Sequence, residues 1–338
     1  MSTRHLITSL LLIAATCVAQ GPRPAPGGWE PTGTLVIDDV ADWERAISAI
    51  AKNPRYHGLE LKPQAGIIPL GGDPVSGLEE FAYPASGTVP TRDPRTGKLV
   101  LADDSCLVFV LVPGGTFTMG AQKKDPSGPN HDASIYGKRE GPTHEVGLSP
   151  FFISKYEMTQ AQWERCTGQK PSFFLLTVET VDPRHPVEQV SWNEAVAAMK
   201  GLDLDIPTEA QWEYACRAGT RTPWSTGVDE DALRAAATLE AESTTAVGSH
   251  AANGFGLHDM HGNVWEWCRD AFKFYRENPV RPDDGLRSDD GDARFRVYRG
   301  GGFVNVPRMG RSSARHYGEP GAQENDVGVR PMRRVTVE

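Results

Sequence analysis

Apolar and polar positions change rhythm several times along this chain. From Asp42 to Lys52, Trp43, Ala46, Ile47, Ile50 and Ala51 recur at helical spacing and predict an amphipathic helix with one buried face. Leu35 to Asp38, just before it, reads as a short strand. Between Gly58 and Leu101 the apolar pieces are short and are cut by Gly71-Gly-Asp-Pro74, Ser86-Gly87 and Asp93-Pro-Arg-Thr-Gly97, which predicts small hairpins. Six consecutive apolar residues, Leu107 to Val112, then predict a buried strand. Pro113-Gly-Gly115 closes it, with Thr116 to Met119 as the expected antiparallel partner. Residues 121 to 138 are polar and turn-rich, an expected exposed loop, before His144 to Leu148 and Phe151 to Ser154 return to strand-like patterning.

Three helix starts follow with one signature. Thr159-Gln-Ala-Gln162, Ser191-Trp-Asn-Glu194 and Thr208-Glu-Ala-Gln211 each place a hydroxyl three residues before Glu or Gln. The hydroxyl can accept the third backbone N–H of the helix while the longer side chain reaches back to the N–H of the capping residue itself, so each is a predicted capping box.

Composition narrows the class. With 338 residues and 39% hydrophobic content the chain can bury a sizeable core, while 35 Gly and 26 Pro favour short elements joined by turns. A formal net charge of -9 argues against nucleic-acid binding, which needs clustered Lys and Arg to displace phosphate counterions. Arg4 and His5 ahead of the apolar run Leu6 to Val18, with small residues near Ala19, read as an export signal over 1–19, so an exported location is expected. No later apolar run is long enough for a membrane span. Residues 20–105 are then a linker and small N-terminal extension, and 106–335 the main domain. Cys106, Cys166, Cys216 and Cys268 form an even set compatible with one or two disulfides or with buried free thiols, and none has zinc-ligand spacing.

The run His258-Asp-Met-His-Gly-Asn-Val-Trp-Glu-Trp267 concentrates two carboxylates, turn carbonyls and two Trp, and is the first place to look for a metal. The other reading is a hydrogen-bonded turn in which Asn263 and Glu266 cap and the two Trp pack. His258 and His261 form an H-x-x-H, but in a turn, where the spacing does not bring both rings to one ion.

Five segments occur in an order that resembles the sulfatase-modifying-factor family, which includes the formylglycine-generating enzymes. They are Val112 to Gly120, Phe151 to Thr159, Ile206 to Arg217, Asn253 to Trp267 and Tyr298-Arg-Gly-Gly-Gly-Phe303. The resemblance covers about residues 106 to 335. It implies an α+β, irregular C-type-lectin-like fold with short strands, few helices and long loops, bound calcium, and a cleft that receives a peptide. It assigns calcium to the side chains of Asp259 and Glu266 and the carbonyls of Gly262 and Val264. A second calcium site is not expected, because Ala235 to Val247 offers only Glu240 and Glu242.

Active members of the family hold copper(I) through two thiolates five residues apart, just after the Arg-Gly-Gly motif. Here those positions fall on Asn305 and Gly310, so copper is not expected and no catalytic residue is assigned. Asn305, Arg308, Arg311, Ser312, Arg315 and His316 remain as candidate ligand-binding residues, since Arg presents a planar fork to carboxylate, sulfate or phosphate. The bland alternative pairs these arginines with Asp283, Asp284, Asp289, Asp290 and Asp292. The expected function is a calcium-stabilised module for a peptide, protein or glycan ligand. The alternative is an oxidase-type enzyme of the family that uses residues other than the cysteine pair.

Overall fold

A computed structural model describes residues 40–135, 138–173, 182–276 and 279–336. The expected export signal and the Leu35 to Asp38 strand lie outside the described residues. In chain order the helices are α1 (Val40–Lys52), α2 (Gln160–Thr167), α3 (Trp192–Gly201), α4 (Glu209–Arg217) and α5 (Glu230–Arg234). The strands are β1 (Ile68–Gly72), β2 (Glu79–Tyr83), β3 (Thr91–Arg92), β4 (Leu99–Val100), β5 (Leu107–Val112), β6 (Gly115–Met119), β7 (His144–Leu148) and β8 (Phe151–Ser154). They continue with β9 (Trp265–Ala271), β10 (Arg296–Arg299), β11 (His316–Gly318), β12 (Val327–Gly328) and β13 (Met332–Arg334). Short strands, few helices and long connections give the irregular α+β class that the family resemblance implied.

Two sheets organise the molecule. One has strand order β1-β2-β5-β8-β13 and the other β11-β10-β9-β12. All six residues of β5 are buried, so this strand needs cover on both faces and pairing on both edges. It finds β2 on one side and β8 on the other, both antiparallel. The expected β5–β6 hairpin is therefore not formed: β6 pairs with β7 in a separate two-stranded ribbon, from Gly115↔Leu148 to Met119↔His144. The backbone at Gly114 explains the diversion, because a Cβ there would lie 2.6 Å from the Leu148 carbonyl and 2.8 Å from Pro150, so the chain turns towards β7 at this glycine.

The N-terminal extension is continuous with the main domain. β1 and β2 extend its five-stranded sheet, and α1 buries Trp43 and Ile50 in the same apolar cluster as Phe81, Phe109 and Phe152. Lys155, directly after β8, adds a buried ion pair to Asp73 (3.0 Å) and Glu80 (2.6 Å) of the extension. The boundary at 105/106 read from sequence is thus a boundary of resemblance, with no gap in packing across it.

All three capping boxes are present with both reciprocal bonds, at Thr159, Ser191 and Thr208. The 121–138 loop is exposed over most of its described length but pinned at its ends. Asn130 donates to the Thr118 (2.6 Å) and Gly120 (2.7 Å) carbonyls, and Asp132 is buried. Cys106, Cys166, Cys216 and Cys268 are all free thiols.

Candidate functional site: the 258–266 turn and the 303–316 segment

The turn at 258–266 forms because three of its residues adopt left-handed backbone: Asp259 (φ 57°), Gly262 (φ 83°) and Asn263 (φ 61°). Only glycine suits the middle one, where a Cβ would meet the Thr238 carbonyl at 2.2 Å. Glu157, three residues beyond β8, accepts from the Val264 N–H (3.0 Å) and the Asn263 amide (2.5 Å) and so holds the turn from outside. Burial, and then the nearby charges of Asp259 and Glu266, push the Glu157 carboxyl well above its ordinary range.

Glu266 meets a guanidinium. Arg330 donates to it through Nε (3.0 and 2.9 Å) and Nη2 (2.6 Å), and Trp212 Nε1 donates at 2.6 Å. The same guanidinium donates to the carbonyls of Ser154 (3.0 Å) and His258 (2.8 Å), tying β8, the start of the turn and β9 together. Asp259 accepts from the Gly248 N–H at 2.7 Å through one oxygen, while its other, Oδ1, is buried without a hydrogen-bond partner. Among the described residues no three His, Cys, Asp or Glu side chains converge on a point that a metal ion could occupy. A calcium shell that relies on Glu266 does not fit this arrangement, since both its oxygens are engaged by Arg330; Asp259 Oδ1 and the Gly262 and Val264 carbonyls are what such an ion would have left.

The two histidines of the turn point to different partners. His258 stacks on Tyr156 (centroids 4.9 Å apart) and its Nδ1 lies 2.7 Å from the His250 carbonyl. His261 Nδ1 lies 2.7 Å from the Gly310 carbonyl, and its Nε2 accepts from the Ser225 N–H at 3.0 Å. Burial lowers each ring to about 4, so both are neutral at physiological pH.

In the 303–316 segment, Asn305 Oδ1 accepts from the Gly302 N–H (2.8 Å) and its carbonyl accepts from Glu240 N–H (3.0 Å). Asn305 and Gly310 thus have positions fixed by the fold and offer no thiolate, so the donor set does not fit copper(I). Cys216 is a buried thiol 3.8 Å from His261 and 3.6 Å from Ser312 Oγ, and burial pushes it up to about 12, so it stays protonated.

The arginines divide sharply. Arg311 is buried in ion pairs with Asp132 (2.7 Å) and Glu140 (2.7 Å), and Arg315 in one with Glu209 (2.5 Å), which α4 also presents to Arg299 (2.9 Å). These partners come from the 121–140 region and α4, not from the 283–292 aspartates that the sequence offered as the alternative. Ser312 is likewise buried, and its carbonyl accepts from Arg299 at 3.0 Å. Arg308 is exposed, two residues after Val306; Val304 and Val306, on either side of Asn305, are 53% and 41% exposed. His316 is half-buried and stacked on Tyr298 (centroids 5.2 Å apart). Of the six candidates, Asn305, Arg308 and His316 reach the surface, and Arg311, Ser312 and Arg315 lie inside. Glu157, Trp212 and Arg330, which hold the turn, were not singled out as site residues, because nothing in their local spacing signals a partner so distant in the chain.

Comparison with known proteins places this geometry. The family profile described as "Sulfatase-modifying factor enzyme 1-like domain" matches residues 102–335. The formylglycine-generating enzyme of Streptomyces coelicolor is 29% identical over 286 residues, covering 65% of this chain and 87% of that protein. A protein named serine/threonine-protein kinase pkn1, from Chlamydia pneumoniae, is 29% identical over 365 residues, 96% of this chain. The chain spans 56% of the length of that relative and 38% of its Chlamydia caviae counterpart. Among solved structures, PvdO from Pseudomonas aeruginosa superposes with a TM-score of 0.58 at 25% identity, over 73% of this chain and 98% of that one. Treponema denticola variable protein 1 superposes with a TM-score of 0.57 at 23% identity, over 69% and 98%. The profile match spans both the turn held by Arg330 and the segment carrying Asn305 and Gly310, and the chain belongs to the sulfatase-modifying factor enzyme 1-like domain family.

Proposed function

We propose that this chain is an exported, non-catalytic member of its family that binds a peptide, protein or glycan ligand at the surface around Asn305, and that it does not generate formylglycine. One observation carries the reading. The two positions where active relatives are expected to hold copper(I) are Asn305 and Gly310, and each is bound into the fold, Asn305 through Gly302 and Glu240 and Gly310 through His261. Burial raises the other described thiols, Cys106 and Cys166 to about 12 and Cys268 well above its ordinary value, so none is a thiolate before a metal binds.

What stays available at the surface is a hydrogen-bonding amide flanked by two exposed valines and the exposed guanidinium of Arg308. This combination suits a ligand with an apolar contact and one anionic group. A calcium ion, if the module takes one, binds through Asp259 Oδ1 and backbone carbonyls, with Arg330 keeping Glu266.

The test mixes the purified mature protein with copper(I), oxygen and a Cys-x-Pro-x-Arg peptide and weighs the peptide by mass spectrometry. The expected result is an unchanged peptide and no stoichiometric copper in the protein. Aldehyde product would overturn the proposal.

A further inference from the structure

Strand β11 lies at one end of the sheet order β11-β10-β9-β12, and among the described residues it pairs with β10 alone. Such an edge carries backbone N–H and C=O groups open to pairing with another strand. β11 bears Tyr317 at its centre. The Tyr317 ring packs against Phe272 (centroids 4.4 Å apart, planes at 46°) and Phe295 (4.8 Å, 54°). Phe272 in turn packs against Phe274 (5.9 Å, 71°), which is 42% exposed. Phe272, Phe295 and Tyr317 are half-buried, so the group forms an aromatic surface and not a core.

Two exposed guanidiniums border it. Arg139 lies 5.0 Å from the Tyr317 ring centroid and Arg294 lies 5.0 Å from that of Phe295. Arg139 forms no ion pair among the described residues, and the nearest carboxylate to Arg294 is that of Glu319, 3.9 Å away. In a chain of formal charge -9, two guanidiniums resting on rings with so little acidic cover favour an acidic partner. The rings are tilted by 46° to 71° to one another, which leaves notches between ring edges. Such a notch takes an aliphatic or aromatic side chain.

We propose that the β11 edge, with Tyr317, Phe272, Phe274 and Phe295 and the bordering Arg139 and Arg294, receives an extended polypeptide segment that pairs with β11 and carries apolar side chains two residues apart, flanked by acidic ones. Residues two apart on an added strand face the same side, so both apolar groups meet the notches while the flanking carboxylates reach the guanidiniums. Arg308 makes no ring contact or ion pair with this group among the described residues, so Arg308→Ala tests the Asn305 surface independently of it.

The experiment selects a displayed library of random twelve-residue peptides on the purified mature protein, then measures synthetic peptides from the enriched pool by fluorescence anisotropy. The expected pool is rich in Asp and Glu around paired apolar residues. Its peptides should lose at least tenfold in affinity for the Arg139→Glu, Arg294→Glu double variant and for Phe274→Ser, both of which keep the parent Tm. Methylation of alternate peptide N–H groups should weaken binding comparably, a loss that a side-chain-only contact would not produce. The proposal is overturned by a pool without acidic bias, by affinities that these variants leave unchanged, by insensitivity to methylation, or by binding that Arg308→Ala abolishes instead.

Discussion

Replacing Glu266 by Gln tests what closes the 258–266 turn. The Glu266 and Arg330 side chains are both fully buried, and the carboxylate accepts three contacts from the guanidinium at 2.6 to 3.0 Å and one from Trp212 at 2.6 Å. Gln keeps the shape but removes the charge and turns an N–H₂ towards donors. Arg330 then keeps the Ser154 and His258 carbonyls and at most the one Gln carbonyl oxygen, and is buried without a carboxylate partner in the pair. Breaking a buried pair by removing one partner costs about 3–5 kcal/mol. For a domain of this size each kcal/mol is roughly 2–4 °C in Tm, so the expected loss is about 6–20 °C. Thermal unfolding at neutral pH, with chelator and with added calcium, reads both arms. Glu266→Gln should fall below the wild type by the same amount in both, whether or not calcium raises the Tm of either. A loss under about 1 kcal/mol would refute the reasoning, because a buried pair of this kind cannot be removed so cheaply. So would a chelator that lowers the wild type to the Tm of Glu266→Gln and abolishes the difference, since the carboxylate would then be holding a metal. A Glu266→Leu, Arg330→Met double variant should be more stable than Arg330→Met alone.

The remaining predictions concern other links. His258 and His261 have folded-state values lowered to about 4 by burial, so the unfolded chain binds more protons below the ordinary His value, and stability falls as pH drops from about 6.5 towards 4. His258→Phe keeps the stack on Tyr156, and denaturant unfolding at pH 7.5 and 5 should show it losing less stability across that interval than the wild type. Restoring the thiols with Asn305→Cys, Gly310→Cys should create copper(I) binding, because a Cβ at Gly310 meets nothing closer than the Gly300 carbonyl at 3.4 Å; competition with a chromogenic copper(I) chelator measures it. Thr208→Ala removes both the cap of α4 and a 2.5 Å bond to the Asp284 carbonyl, and should cost about 2 kcal/mol in urea unfolding.

Much of this fold was legible where the information is local. A capping box needs four consecutive residues, and all three were read correctly at Thr159, Ser191 and Thr208; α1 needed only its own periodicity. Strand order was not legible. The pairing of β5 depends on which strands can cover a ladder buried on both faces, and β2, drawn from the extension, was chosen over the adjacent β6. The candidate site divides in the same way. The distance from the Arg-Gly-Gly motif marks Asn305 and Gly310 as the positions the resemblance points to, but the five candidates after Asn305 carry no mark of which will pair with carboxylates over a hundred residues away, as Arg311 and Arg315 do.

By itself, the sequence determined the family motifs and the helix starts, and it puts Asn305 and Gly310 where the resemblance expects thiolates, because each is written in residue identity and short spacing. Only the tertiary structure decided that the extension completes the main sheet, that Arg330 takes the carboxylate of Glu266, and that Arg308 stays in solvent while Arg311 does not. Those outcomes depend on which distant groups share a low-dielectric interior, where an unpaired charge is too costly to leave and the nearest opposite charge, however remote in the chain, becomes its partner.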